Sequence, residues 1–207
     1  MVIKYLLFLL LSFLLLFFYP PSATAGFTFT YYVAGDTGLD SNDGLSEEFP
    51  FKTIQKAADV ANSGDTINVK GGISYNETIT PAGSGAPNSY ITFQPWSGTG
   101  IPVIDITGLT FGFNINQDYI QVNGFEIKGT GTGATSYAIA IGLANNNILI
   151  RNNLIHNISG LTSGIGVYDN AGTNIKIYNN VFYGNSIAVQ IDGVSGTSYA
   201  DIYNNNF

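Results

Sequence analysis

The chain has 207 residues, with 14 acidic and 7 basic residues for a net charge of −7, and it contains no cysteine. This balance argues against a nucleic-acid partner, which requires a clustered basic face. It is also unfavourable for binding an acidic polysaccharide unless a cation or a local basic patch intervenes. Without cysteine the fold is not held by disulfides. Only 10% of the residues are charged and 25 are glycine, which fits stacked strands better than a helical bundle.

The first segment, residues 1–25, has the features of an export signal. Lys4 supplies a positive charge, a run of 15 largely apolar residues follows, and Ala23-Thr24-Ala25 gives the small-residue pattern that signal peptidase reads. The alternative is a retained anchor, but 15 residues are few for a hydrocarbon core of about 30 Å. We expect cleavage after Ala25, a secreted or cell-surface protein with no stable membrane span, and one mature domain, residues 26–207.

The mature chain begins with a short strand, Tyr31-Tyr32-Val33, and a turn-rich stretch. A helical pattern then covers residues 51–62. Its apolar residues fall on one face at helical spacing, and they include Ile54 and Ala58. Because stacked strands follow directly, we expect this helix to cover their open end and to bury both residues.

Four side chains with oxygen atoms lie close together in the turn-rich stretch: Asp36, Asp40, Asn42 and Asp43. Ca²⁺ takes about six to eight oxygen ligands from such groups. However, the stretch lacks the full spacing and the distal Glu of an EF-hand loop, and Asp and Asn also form turns without any ion. A turn and a Ca²⁺ site therefore both remain open, and Ca²⁺ is the one cofactor that the sequence suggests.

From Asp65 onward the apolar residues alternate with period two, and the pattern recurs at near-constant intervals. The marker residues of one series are separated by 24, 29, 28, 27 and 25 residues: Val69, Phe93, Val122, Ile150, Ile177 and Ile202. A second series in the same phase has steps of 26, 26 and 24: Ile115, Ile141, Val167 and Ile191. A period of this size indicates a solenoid. Since each strand meets its equivalent one turn later, the sequence predicts an all-β solenoid of parallel sheets with both series pointing inward.

Several N-terminal segments resemble, in order and spacing, the opening module of right-handed parallel β-helix proteins of the pectate-lyase-like superfamily. The most similar groups are the family-nine pectate lyases and the chondroitinase-B-like lyases. The segments are Tyr31-Tyr32-Val33, Asp40 to Ser46, Pro50 to Ala57, Gly64 to Val69, Tyr75 to Ile79 and Pro102 to Asp105. The resemblance implies a right-handed single-stranded parallel β-helix, secretion and a polysaccharide partner. In such lyases the catalytic and calcium-binding residues lie on middle rungs, in a groove outside one sheet.

The resemblance implies a carbohydrate-active protein, similar to polysaccharide lyases that act on acidic glycans. The alternative is a non-catalytic cell-surface or adhesive solenoid that uses the same ladder as a spacer or binding face. The chain stops within a rung at Asn206 and Phe207. We therefore expect a fragment without its C-terminal rungs, with the catalytic residues unknown, and a monomer for the full-length protein.

The outward positions of the first strand series form columns across the rungs. One column contains Arg151, Tyr178 and Tyr203, with Asn123 before them. Aromatic rings beside a cation suit a sugar that carries a carboxylate, but tyrosines also stack on sheet exteriors as ordinary packing. A substrate-binding site and simple packing both remain open for these residues.

In the second series, Asp169 and Asp192 could begin a cation site near Tyr168, although both also sit at strand ends where turn capping is common. His156, the only histidine, has no evident partner in the sequence, which favours a surface or turn position. The first Asn of each Asn pair follows a strand in consecutive rungs, and we expect these residues to form a structural ladder. They are Asn152, Asn179 and Asn204.

Overall fold

The computed structural model describes residues 27–193 and 199–207. These residues contain sixteen strands and one helix, joined by turns. The predicted export signal, residues 1–25, lies outside these residues. Within the described ranges, no helix combines the length and the apolar character needed to cross a membrane.

The strands are numbered in chain order and form three sheets. Sheet A contains β1 (Thr30–Val33), β2 (Thr66–Val69), β4 (Ile91–Pro95), β7 (Ile120–Asn123), β10 (Leu149–Arg151), β13 (Thr173–Tyr178) and β16 (Tyr199–Tyr203). Sheet B contains β3 (Ser74–Tyr75), β5 (Val103–Asp105), β8 (Glu126–Thr130), β11 (Leu154–Ser159) and β14 (Val181–Tyr183). Sheet C contains β6 (Phe111–Ile115), β9 (Thr135–Ile141), β12 (Ser163–Asn170) and β15 (Ile187–Asp192).

Each strand pairs in parallel with its equivalent in the next coil of the chain. In the regular coils the chain passes through sheet C, then sheet A, then sheet B, before it returns to sheet C. The prediction of a parallel β-solenoid is therefore confirmed, with three strands per coil where the repeats had indicated at least two.

The first inward column is confirmed except at its N-terminal end. Phe93, Val122 and Ile150 occupy the predicted register, and the column continues through Ile177 to Ile202. The prediction for Val69 was wrong, because Ile67 is the partner of Phe93 while Val69 lies beside Pro95. Ile67 and Val69 are both fully buried. An alternation of period two cannot distinguish two inward residues that are two positions apart.

The second column contains a similar error with a larger consequence. Val167 pairs with Ile139 rather than with Ile141, and the partner of Ile141 is Asp169. Asp169 in turn pairs with Ile191. A carboxylic acid therefore occupies an inward position between two isoleucines.

The predicted capping helix is present but shorter than residues 51–62. Helix α1 spans Ile54–Val60, and the Thr53 side chain caps its first turn by accepting a hydrogen bond from the Lys56 N–H. Ile54 and Ala58 are buried as predicted, and the helix packs against β1 and β2. The chain before Thr53 is extended, since Phe51 forms a parallel bridge with Val33.

The Asn ladder exists, but it uses the second Asn of each pair. Asn153, Asn180 and Asn205 each accept a main-chain N–H and donate to a main-chain carbonyl of the preceding coil. The prediction that Asn152, Asn179 and Asn204 form the ladder was wrong. These exposed residues instead have left-handed backbone angles, with φ of 56°, 56° and 53°, which Asn tolerates better than most residues. They make the bend that aims the following Asn into the core.

Candidate functional site

At the N-terminal turn, the two outer carboxylates contact groups of the chain. Asp36 forms an ion pair with Lys70 at 2.8 Å, and the hydrogen bond from Lys70 lowers the pKa of Asp36. Asp40 accepts hydrogen bonds from the main-chain N–H groups of Lys52 and Thr53, each at 2.9 Å. Asp40 therefore orders the entry to helix α1.

The other two oxygen-bearing residues close the turn itself. The Asp43 carboxylate accepts the Leu45 N–H at 3.0 Å, and the Asn42 amide donates to the Pro50 carbonyl at 2.8 Å. Across residues 27–193 and 199–207, no three His, Cys, Asp or Glu side chains gather as a metal-holding group. The turn interpretation accounts for each residue of this stretch through the contacts above. Calcium binding stays a prediction.

The second pair of candidate metal ligands is divided between two faces of sheet C. Asp192 is exposed on the outer face, whereas Asp169 is fully buried in the interior. One Asp169 oxygen accepts the Gly172 N–H at 3.0 Å, and the other has no hydrogen-bond partner in the described chain. The structure therefore does not bring Asp169 and Asp192 together on one face.

Burial of Asp169 predicts an unusual dependence of stability on pH. Burial raises the pKa of Asp169 above its ordinary value of 3.8, so the stability linked to this group is complete below that value and is lost as pH rises through the folded-state pKa. Asp169→Asn keeps an oxygen for the Gly172 N–H but cannot ionise. Urea unfolding of both proteins from pH 4 to pH 7 is expected to show the variant gaining stability relative to the natural protein as pH rises. A constant difference would contradict the buried position.

The predicted substrate-binding residues do share one outer column of sheet A. Asn123, Arg151, Tyr178 and Tyr203 are successive register partners. The two tyrosine rings are parallel within 4°, with their centroids 4.9 Å apart. The Arg151 Nε is shielded from solvent and has no hydrogen-bond partner among the described residues. The register thus confirms the column, while its role as a sugar site stays a prediction.

A second cation lies beside this column. Lys176 is the register partner of Leu149 on one side and of Asp201 on the other. The spacing of strands places its Cα about 8 Å from that of Arg151. The ion pairs of the described residues involve Asp36 and Glu126, so neither Arg151 nor Lys176 belongs to one. We name Arg151, Lys176, Tyr178 and Tyr203 the sheet A patch.

Sheet B carries a charged cluster that the sequence interpretation missed. The Glu126 Oε1 lies 3.0 Å from Lys128 Nζ and 3.2 Å from His156 Nε2, and the Tyr183 ring stacks on the imidazole. Burial by itself would raise the pKa of Glu126, but hydrogen bonds from Lys128 and His156 lower it overall. The expectation that His156 has no partners was wrong. His156 is 7% exposed and its Nδ1 is buried, so it supports Glu126 from a largely buried position.

The sequence contains a third series of strands that could have predicted this cluster. The triplets centred on Ile155 and Phe182 directly follow an Asn-Asn pair, the triplet centred on Ile127 follows Asn123-Gly124-Phe125, and the centres are 28 and 27 residues apart. Alignment of these triplets would have placed Lys128 beside His156 and His156 beside Tyr183, as the register does.

The outer face of sheet C carries a row of aromatic side chains. Phe111 stacks on Tyr137, with centroids 5.4 Å apart and planes within 11°, and Tyr137 contacts Tyr168 at 5.3 Å. The Tyr168 hydroxyl donates to Asp192 Oδ2 at 3.1 Å, and the Gln190 amide donates to both oxygens of the same carboxylate. The sequence interpretation had placed Tyr168 near Asp192 but had not singled out Phe111 or Tyr137.

A coil of three parallel sheets whose outer faces carry aromatic, amide and charged side chains defines a parallel β-helix protein. Residues 31–200 match a family model described as "Pel9A-like, right handed beta helix region". The chain belongs to this family, which confirms the resemblance and the right-handed coil.

The chain is similar to lacto-N-biosidases both in sequence and in structure. Over 112 residues the chain is 33% identical to a lacto-N-biosidase of Bifidobacterium longum subsp. longum, a match that covers 49% of this chain and 7% of that protein. Two crystal structures of a GH136 lacto-N-biosidase from Eubacterium ramulus align with TM-scores of 0.65 and 0.66 at 16% and 17% identity. They cover 76% of this chain and 34% and 35% of those chains. The structural similarity shows the fold, and this chain spans only a small part of each relative.

Proposed function

We propose that the chain is part of a secreted, carbohydrate-active protein that holds an acidic glycan against the sheet A patch. The observation that carries the proposal is the presence of Arg151 and Lys176, outside every ion pair of the described residues, on a chain of net charge −7. Unpaired cations beside stacked tyrosines supply the local basic patch that an acidic glycan needs. Membership of the Pel9A-like β-helix family and similarity to a lacto-N-biosidase support the same conclusion.

The chemistry of the patch suits a carboxylate on a sugar ring. Arg151 can present two N–H groups to both oxygens of a carboxylate, which gives stronger and more directional hydrogen bonds than a neutral donor. Lys176 adds a compact positive charge on the adjacent strand. The rings and hydroxyls of Tyr178 and Tyr203 supply apolar edges and hydrogen-bonding groups beside the two cations.

The reaction of the whole protein is a further part of the proposal. A polysaccharide lyase must neutralise the substrate carboxylate and remove the neighbouring proton with a base. Arg151 serves the first need, and we assign no base within residues 27–193 and 199–207. Similarity to a lacto-N-biosidase favours glycoside hydrolysis as the second candidate. A non-catalytic adhesive solenoid is the remaining alternative.

Replacement of Arg151 by alanine is expected to weaken binding of oligogalacturonate or oligoalginate about 10-fold or more, because it removes a charge-assisted pair of hydrogen bonds. Lys176→Ala should weaken binding less, since Lys176 acts as a point charge. Isothermal titration calorimetry on the full chain measures both. Lys52→Ala is the matched control, because it removes the same charge from an exposed position on the turn before helix α1. An equal loss of affinity in all three variants would show that only the net charge of the chain matters, and it would reject the site.

The same proteins distinguish the candidate reactions. Formation of unsaturated products from oligogalacturonate or alginate supports lyase chemistry, whereas new reducing ends on a lacto-N-bioside substrate support hydrolysis. Binding that depends on Arg151 with neither product supports the adhesive alternative. Export is tested separately, by N-terminal sequencing of protein recovered outside the cell, which is expected to begin at Gly26.

A further inference from the structure

We propose that the N-terminal end of the solenoid rests on a zwitterionic lipid surface through an apolar patch. The N-terminal patch, as we name it, consists of Phe27, Phe29, Leu45 and Phe49. It lies at the end of the solenoid that helix α1 covers, so it is separate from the sheet A patch. The proposal does not depend on the function proposed for sheet A.

A turn-containing segment forms the outermost layer of this end. Strand β1 pairs with β2 along one edge and holds this segment along its other edge. The Tyr32 N–H donates to the Gly44 carbonyl at 2.8 Å, and the Phe51 N–H donates to the Tyr32 carbonyl at 2.9 Å. Leu45 and Phe49 lie between these two anchoring points and therefore belong to the last layer of the solenoid.

Large apolar side chains are exposed in this layer. Phe27 is 93% exposed, Phe49 57%, Leu45 46% and Phe29 45%. Phe29 and Leu45 also line an open groove of about 310 Å³, together with the buried Phe51. A single exposed apolar residue is ordinary, but four large ones beside an apolar groove mark an interaction surface.

The chain that precedes Phe27 indicates what this surface meets. The apolar run of 15 residues, residues 5–19, is the export signal or retained anchor that the sequence predicts. Seven residues, 20–26, separate this run from Phe27, and even when fully extended they reach only about 25 Å. The N-terminal patch therefore stays within this distance of a membrane for as long as the run is inserted in it.

Charge selects the kind of surface. Residues 27–60 contain six acidic and two basic residues. A second copy of the chain would bring two equal acidic surfaces together across a two-fold axis, and an anionic membrane would repel the same residues. A zwitterionic surface carries no net charge, and Phe and Leu side chains insert about 5–10 Å into its headgroup region. The patch therefore fits a zwitterionic lipid surface.

This orientation leaves the outer faces of the sheets free. The strands of sheet A follow one another from β1 to β16, with neighbouring rungs about 4.8 Å apart. Arg151 in β10 and Tyr203 in β16 therefore stand roughly 20–30 Å from the N-terminal end. Contact with lipid at that end does not cover the sheet A patch.

The test uses the absence of cysteine from the chain, because a single introduced cysteine then carries a nitrobenzoxadiazole fluorophore at one chosen position. The full chain is made by cell-free synthesis with phosphatidylcholine vesicles that contain a doxyl-labelled lipid as quencher. Probes at Leu45→Cys and Phe49→Cys are expected to show blue-shifted emission that the doxyl lipid quenches. Leu143→Cys and Leu161→Cys are the matched controls, since these leucines are 68% and 79% exposed on turns several rungs away. Their probes are expected to emit as they do in water.

A second set of variants tests the apolar contact itself. Phe49→Ser is expected to lower the ratio of docked to undocked chain about 10-fold, measured by the Leu45 probe, because it removes one inserted ring. Leu161→Ser is expected to leave that ratio unchanged. Thermal unfolding followed by circular dichroism establishes that each variant remains folded.

Three outcomes would overturn the proposal. The first is equal quenching at all four probe positions, or none at Leu45 and Phe49. The second is quenching of the Leu45 probe by phosphatidylglycerol vesicles that equals or exceeds the quenching by phosphatidylcholine vesicles. The third is a blue shift that grows with protein concentration without quenching, which would assign the patch to a second copy of the chain. Binding of acidic glycans is measured separately, so either proposal can fail while the other holds.

Discussion

Replacement of Asn180 by alanine is expected to lower the free energy of unfolding by about 3–5 kcal/mol, since each buried polar group left without a partner costs about 1–3 kcal/mol. The Asn180 side chain makes four hydrogen bonds, two of them with main-chain groups of the preceding coil, the Asn153 N–H and the Ile150 carbonyl. Asn180 is 1% exposed, so water cannot replace these bonds. Urea denaturation followed by circular dichroism measures the change.

The neighbouring Asn179 provides a matched control. It is exposed and has a φ of 56°, which glycine adopts without strain, and Gly124 already occupies the equivalent position one repeat upstream of Asn152. Asn179→Gly is therefore expected to change stability by no more than about 0.5 kcal/mol. If Asn180→Ala and Asn179→Gly were equally stable, the inner Asn ladder would not be the element that holds the coils together.

Truncation of Phe113 to alanine is expected to cost about 3–5 kcal/mol, the usual range for removing a buried aromatic side chain. Phe113 is fully buried and contacts Phe93 and Phe125 edge to face, with centroids 5.4 and 5.5 Å away. It comes from sheet C, whereas Phe93 comes from sheet A, so the cavity would open between two sheets. Thermal and urea unfolding measure the loss.

Leu161→Ala removes an apolar side chain that is 79% exposed, and it is expected to change stability by no more than about 0.5 kcal/mol. A comparable loss of stability in Phe113→Ala and Leu161→Ala would show that the cost of the Phe113 truncation does not come from the cavity. Retention of sheet A binding in Phe113→Ala below its unfolding temperature is expected, because Phe113 points inward and touches no residue of that patch.

The three outer faces of the solenoid differ in charge, although they surround one interior that repeats from coil to coil. Inward positions repeat apolar residues and Asn, because each coil must pack on the next and satisfy its own main chain. Outward positions are free of that requirement. Sheet A carries unpaired cations, sheet B an ion-paired cluster and sheet C an aromatic row with one exposed carboxylate. The fold fixes neighbouring rungs about 4.8 Å apart, so each face holds its groups at a set spacing.

The sequence by itself was sufficient to predict the class of fold and the residues of one outer column. Repeat steps of 24–29 residues required stacked coils with parallel pairing, and alternation within the repeats placed Arg151, Tyr178 and Tyr203 in one column. These inferences succeeded because they use the repeat period and the alternation, both of which are local properties of the chain. The prediction of the capping helix succeeded for the same reason. It failed only at the first predicted residues, where the pairing of Phe51 with Val33 overrides helical spacing.

The tertiary structure decided the register, and with it the contents of each face. Turns of unequal length separate the strands, so a shift of two residues preserves the alternation and leaves the sequence ambiguous. Such a shift hid the pairing of Asp169 with Ile141 and exchanged Val69 for Ile67. The contacts of His156 with Glu126, and of Phe111 with Tyr137, join residues 30 and 26 positions apart. They arise only when one coil stacks on the next, because no local pattern records which side chains of successive coils meet.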